Sequence, residues 1–196
     1  MRKTLKHLYK YLFPLLLLIV LYPEAQASAS SCKDSVTKFS LDMKWRILYG
    51  KKGLAGASIT VYLDSSRTIV RNVESDEKGW ATYRMPIQKF YTITIAKKGF
   101  VTKIITVDAK MPKSFQTSDY FFELSVDLFE EIATLDVSLL KKPVAKIFFN
   151  TFNKNFDYDF NYTVKILGDL KKLYDDHKLL SKQPGRATPD SSQNKK

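Results

Sequence analysis

Phe39-Ser40-Leu41-Asp42-Met43-Lys44-Trp45-Arg46-Ile47-Leu48-Tyr49 is the stretch that sets the fold. Its apolar residues Phe39, Leu41, Met43, Trp45, Ile47 and Tyr49 alternate with Ser40, Asp42, Lys44 and Arg46. A period of two puts each set on its own face of an extended strand. Working outward, Lys51-Lys52-Gly53 turns the chain and Ala57, Ile59, Val61 and Leu63 mark a second strand. Asp64-Ser65-Ser66 is a loop, and Ile69, Arg71 and Val73 keep the parity of a third strand. Asp76-Glu77-Lys78-Gly79 reads as a hairpin turn, with Gly79 suited to the positive φ such turns need.

Trp80 to Met85 predicts a fourth strand stopped at Pro86, and Tyr91, Ile93 and Ile95 a fifth. Lys97-Lys98-Gly99 turns into a sixth on Val101, Lys103, Ile105 and Val107, and Phe122, Leu124, Val126 and Leu128 give a seventh. Short strands at close spacing, without a long helix between them, predict an all-β, antiparallel sandwich of seven or more strands with Trp45 and Ile93 inside.

Val144, Ile147 and Phe149 indicate another strand after Pro143. From Phe152 to Tyr162 the alternation is the strictest in the chain: Phe152, Phe156, Tyr158, Phe160 and Tyr162 at even positions, Asn153, Asn155, Asp157, Asp159 and Asn161 at odd ones. One strand with an aromatic and an Asn/Asp face is the expectation. Ile166, Leu170, Leu173, His177 and Leu180 then follow helical spacing, weakened at Gly168. From Ser181 the chain is polar and interrupted by Pro184, Gly185 and Pro189, a composition that resists folding.

The N-terminus has another character. Met1 to Lys10 is basic, Tyr11 to Tyr22 is an apolar run of 12 residues interrupted only by Pro14, and Ala25-Gln26-Ala27 is an A-x-A cleavage site. This is a secretory signal cleaved after Ala27, since 12 residues are too few to cross a bilayer as a helix. Cys32 is the only cysteine, so no internal disulfide forms. Ala29-Ser30-Ser31-Cys32 also offers a degenerate lipobox, with acylated Cys32 and a lipid anchor as the alternative maturation. The expected division is 1–27 signal peptide, 28–38 flexible arm, 39–162 sandwich with strand extension, 163–181 helix and 182–196 disordered basic tail. An exported chain of this kind is periplasmic or outer-membrane-associated.

Formal net charge is +12, of which +9 remains after removal of Arg2, Lys3, Lys6, Lys10 and Glu24 with the signal. With 44% hydrophobic residues, wholesale disorder is excluded. The lysines are scattered between strands and concentrated only toward the C-terminus, and the aromatics share the parity of core positions rather than interleaving with basic residues. That pattern and export argue against nucleic acid as a partner.

Three stretches carry a family resemblance. Gly53-Leu54-Ala55-Gly56-Ala57-Ser58-Ile59-Thr60-Val61, Glu74-Ser75-Asp76-Glu77-Lys78-Gly79-Trp80, and Tyr91-Thr92-Ile93-Thr94-Ile95-Ala96-Lys97-Lys98-Gly99-Phe100 resemble the carboxypeptidase regulatory-like domain. The likeness runs roughly from Phe39 to Ala109. It implies a transthyretin-like β-sandwich and an accessory module that scaffolds, docks or binds, the catalysis of such metallopeptidases lying in a separate domain. Phe156-Asp157-Tyr158-Asp159-Phe160-Asn161-Tyr162 is similar to a segment of small bacterial envelope proteins with this domain.

Candidate chemistry is sparse. Once the signal is removed one histidine remains, His177, on the helical stripe, and no G-x-S-x-G motif is present. Neither a catalytic set nor the three or four ligands of a zinc site is visible. Asp157, Asp159 and Asn161 match the start of a calcium loop, but Tyr162 replaces its Gly and Gly168 its bidentate Glu. A solvated polar strand face explains the same residues. The expectation is a non-catalytic module of the cell envelope that docks another envelope protein or an anionic cell-wall polymer. Carbohydrate binding through exposed aromatics such as Trp80 is the alternative.

Overall fold

The computed structural model describes residues 38–63 and 68–182. Contacts divide the chain into residues 1–35 and 36–196, and every described residue belongs to the second unit. The signal, Cys32, the Asp64-Ser65-Ser66 loop and the tail from 183 lie outside the described residues.

Ten strands are described: β1 (Ser40–Tyr49), β2 (Lys52–Gly53), β3 (Ser58–Leu63), β4 (Thr68–Glu74), β5 (Trp80–Pro86), β6 (Phe90–Ala96), β7 (Lys103–Asp108), β8 (Tyr120–Asp127), β9 (Ala145–Asn150) and β10 (Asn155–Tyr158). Helix α1 (Phe160–Ser181) follows. β1 runs between β5 and β8, with the short β2 at its end, while the larger sheet has the order β10-β9-β7-β6-β3-β4. The two sheets bury Leu41, Met43, Trp45 and Ile47 of β1 and Ile93 and Ile105 of the larger sheet. Trp45 and Ile93 are both fully buried, as their parity predicts, and the Trp45 Nε1–H has no acceptor among the described residues.

Three local expectations are corrected. The pairing is mixed rather than wholly antiparallel, with β8 parallel to β1 and β9 parallel to β7. The chain crosses to the opposite sheet between β7 and β8 and returns before β9, and such crossovers allow parallel neighbours. The Asp76–Gly79 turn is present, with Gly79 at φ 81°, but it joins strands of opposite sheets and is not a hairpin. Asp76 Oδ1 accepts from the N–H groups of Lys78 and Trp80 at 2.9 and 2.7 Å. Gly79 also packs directly on Gly53: a Cβ on Gly53 would stand 2.1 Å from Lys78 O, and one on Gly79 2.2 Å from Ile47 O.

The aromatic segment supplies the third correction. Residues 152–162 are not one strand. Asn150 Oδ1 accepts from Phe152 N at 2.9 Å to open a turn, Lys154 takes φ 52°, β10 lasts four residues, and Asp159 caps α1. Phe152 is consequently 91% exposed whereas Phe156 is buried. The helix starts at Phe160, ahead of the expected 163. It packs through Leu170, Leu173 and Tyr174 on a second apolar cluster built from Val101, Phe129 and Leu140.

Candidate functional site

The residues singled out for calcium are held by local duties. Asp157 lies on β10, where Oδ2 accepts from Asn153 Nδ2 at 2.7 Å. Asp159 Oδ1 accepts the Tyr162 N–H at 2.9 Å as the N-cap of α1, and Asn161 is exposed in the first turn. A cation at this trio competes with the cap for the Asp159 oxygen. Among the described residues no group of three or more His, Cys, Asp or Glu is placed to hold a metal ion. His177 lies with Nε2 3.1 Å from Glu130 O and its ring 4.6 Å from that of Phe129. Trp80 does not offer a bare ring, because Lys44 Nζ stands 3.9 Å and the Arg46 guanidinium 5.1 Å from its centre.

Lys103 is the polar residue that sequence reasoning passed over. It occupies an inward position at the start of β7 and is only 4% exposed. Its ammonium donates to Asp127 O and to the Tyr174 hydroxyl, which itself donates to Asp127 O at 3.1 Å. The rings of Tyr174 and Phe129 lie 4.8 and 5.7 Å from Nζ. Burial pulls the ammonium down to about 8, against a smaller upward pull from Asp127. Burial also pushes Asp127 and Tyr174 up. The one visible signal was a lysine at an apolar parity position.

The lateral edges of the sandwich differ. Where β8 and β10 approach, rings bridge the seam: Phe122 to Tyr158 at 5.3 Å, Tyr120 to Phe156 at 5.7 Å and Tyr120 to Phe149 at 5.4 Å. On the opposite side β4 is the outermost strand of the larger sheet. Six of its seven residues are exposed, Ile69 by 60%, and Val70 sits where the β3–β4 register shifts. Arg71 is the one basic residue in the strand and no proline interrupts it. The N–H and C=O groups on its outer side are paired with no other described strand.

Two cavities lie along the outer surface of β7. One of about 680 Å³ is lined by Val101, Ile104, Ile132, Leu135 and Leu140, with Lys141 among its charged residues. The other, about 550 Å³, has Phe90 and Phe148 on the strands either side of Asp108, and Lys146 near Tyr162. Lys146 Nζ stands 4.2 Å from the Tyr162 ring centre. Among the described residues no helix is long and apolar enough to cross a membrane.

No family model matches the sequence, and no curated protein matches it. Among solved structures the chain is similar to the Bacillus anthracis TIE protein, with 21% identity and a TM-score of 0.39 over 47% of this chain and 17% of that one. It is similar to Klebsiella pneumoniae 5-hydroxyisourate hydrolase, with 10% identity and a TM-score of 0.32 over 46% of this chain and 98% of that one. It is also similar to the group B streptococcus pilus 2b backbone protein, with 10% identity and a TM-score of 0.31 over 45% of this chain and 40% of that one. The chain therefore spans well under two thirds of the length of the TIE and pilus proteins.

Proposed function

We propose that this chain is an exported, non-catalytic module of the cell envelope that docks another envelope protein by accepting an extended segment along β4. The observation that carries the reading is the exposed seven-residue edge strand with Ile69 and Val70 in the open. An added strand satisfies the outward backbone groups through main-chain hydrogen bonds and takes specificity from alternate side-chain positions. Edges that avoid partners are usually short, bulged or rich in lysine; β4 is bulged at Val70, but it is long for an edge and carries no lysine, its charges being Arg71 at the centre and Glu74 at the end.

The test is a photo-crosslinking residue at Asn72, used in the native envelope and repeated in an Ile69→Lys/Val70→Lys background. A discrete adduct that disappears in the double variant supports docking along β4. An adduct pattern unchanged by the two lysines removes β4 as the docking edge. Self-association seen by sedimentation velocity and abolished by the same variant assigns the edge to a second copy instead.

Carbohydrate binding is the second reading, favoured by the cavity that sets Phe90 and Phe148 around Asp108. Glycan-array retention lost on Phe148→Ala would support it, because stacking on a ring needs that face. Retention indifferent to Phe148 would remove it.

A further inference from the structure

Helix α1 carries two apolar faces, only one of which is used. Ile166 and Leu173 are buried against the sandwich, with Leu170 and His177 half-buried beside them. About 120° round the helix, Phe160, Val164 and Leu167 form a second stripe at steps of four and three residues. They are 75%, 56% and 60% exposed. Isolated apolar residues on a surface are ordinary, but three on one line of one helix form a patch.

The charges on the same line narrow what can cover it. Lys171 and Lys178 continue the stripe toward the C-terminal end, with Asp175 the one acid close to it. Lys165 and Lys172 lie further round, next to Asp169 and Asp176. All four lysines are exposed, and none makes an ion pair among the described residues. Beyond the helix, residues 183–196 add Arg186, Lys195 and Lys196 against Asp190.

We infer that the Phe160–Val164–Leu167 stripe and its lysines form a contact surface for an anionic lipid bilayer. A helix lying in the interface sinks its apolar side chains to the acyl boundary and leaves its ammonium groups level with the headgroup phosphates. Each lysine of the line then meets a counter-charge without losing its water. An apolar protein groove long enough to cover the whole line would have to desolvate Lys171 and Lys178, which lie about 17 and 27 Å along the helix from Phe160. Pairing with a second copy leaves the lysines short of acids as well: a parallel seam sets lysine beside lysine, and an antiparallel one sets them against the apolar half. A purely polyanionic polymer would satisfy the lysines and leave the three apolar side chains in water.

The surface is tested on the chain from Ser28 onward, free of the apolar run at residues 11–22 that would itself bind vesicles, and carrying Cys32→Ser, which removes any acyl anchor at that position. Flotation is measured with neutral phosphatidylcholine vesicles and with vesicles also containing phosphatidylglycerol. The expected result is binding that grows with the anionic fraction, weakened by about tenfold or more in Phe160→Ser/Leu167→Ser. In Lys171→Glu/Lys178→Glu the dependence on anionic lipid is lost. Thermal midpoints of both variants stay near that of the parent, because the changed side chains are exposed. Equal binding to both vesicle types, or binding unmoved by the stripe variant, overturns the inference. So does self-association that depends on Phe160 and Leu167 when no vesicle binding is found.

Discussion

The two lateral edges of this sandwich solve the same problem in opposite ways. At the β8–β10 edge, Tyr120, Phe122, Phe156 and Tyr158 meet edge to face across the gap between the sheets. At the β4 edge, Ile69 and Val70 stand in water. One edge spends its aromatic residues on closure, and the other leaves backbone and side chains available to a partner. Stability is therefore expected to reside at the first edge and recognition at the second.

The largest expected effect follows from emptying the closed edge. Phe156→Ala removes a buried ring that touches both Tyr120 and Phe149, and should cost about 3–5 kcal/mol in denaturant unfolding. Ile69→Ala on β4 should change stability by no more than about 0.5 kcal/mol. Comparable losses from the two substitutions would break the contrast between the edges.

Next in size is a pH effect where α1 covers the end of the closed side. Burial lowers Lys103 from an ordinary 10.5 to about 8, so between these values the unfolded chain holds a proton that the folded chain has released. Stability is lowest below pH 8 and rises toward pH 10.5, by roughly 3 kcal/mol if the whole shift is realised. Chemical denaturation at several pH values should show this rise, with Lys103→Met flattening it. The groups that face the ammonium are Asp127, Tyr174 and, across Phe129, His177. A profile of wild type already flat over that window would mean that water reaches Lys103.

A smaller effect sharpens the boundary between strand and helix. Asp159→Ala deletes the N-cap at the point where β10 gives way to α1, and should cost about 1 kcal/mol. Asp159→Asn, which keeps an oxygen acceptor, should recover most of the loss. Smallest of all, Ile69→Lys/Val70→Lys should leave the unfolding midpoint within experimental scatter while abolishing β4-dependent crosslinking.

The strands of the sandwich were legible because burial is one-sided. Leu41, Met43, Trp45 and Ile47 are buried and Asp42, Lys44 and Arg46 are not, so sequence parity and structural face coincide. The same rule failed at 152–162, where a turn, a four-residue strand and the first turn of a helix happen to keep one parity. The missed signals were local: Asn150 suits an Asx turn, its Oδ1 accepting from Phe152 N and Asn153 N, Asp159 suits an N-cap, and the helical stripe extends back to Tyr162. The β4 edge was not legible at all. Ile69, Arg71 and Val73 specify a strand, but only the pairing of the other strands makes it the outermost. Lys103 lay in view on an apolar parity, and its meaning depended on Tyr174 and Asp127, distant in sequence.

The two tryptophans differ as chromophores. Trp45 sits in the dry core with an indole N–H that has no acceptor among the described residues, so its excited state has few dipoles to relax against and its emission stays at the blue end. Trp80 lies half-buried on the outer face of the smaller sheet beneath Lys44, where a soluble quencher can reach it. Native fluorescence is therefore a sum of two separable bands. Acrylamide removes the redder one first, and the bluer one reports on the core until the chain unfolds.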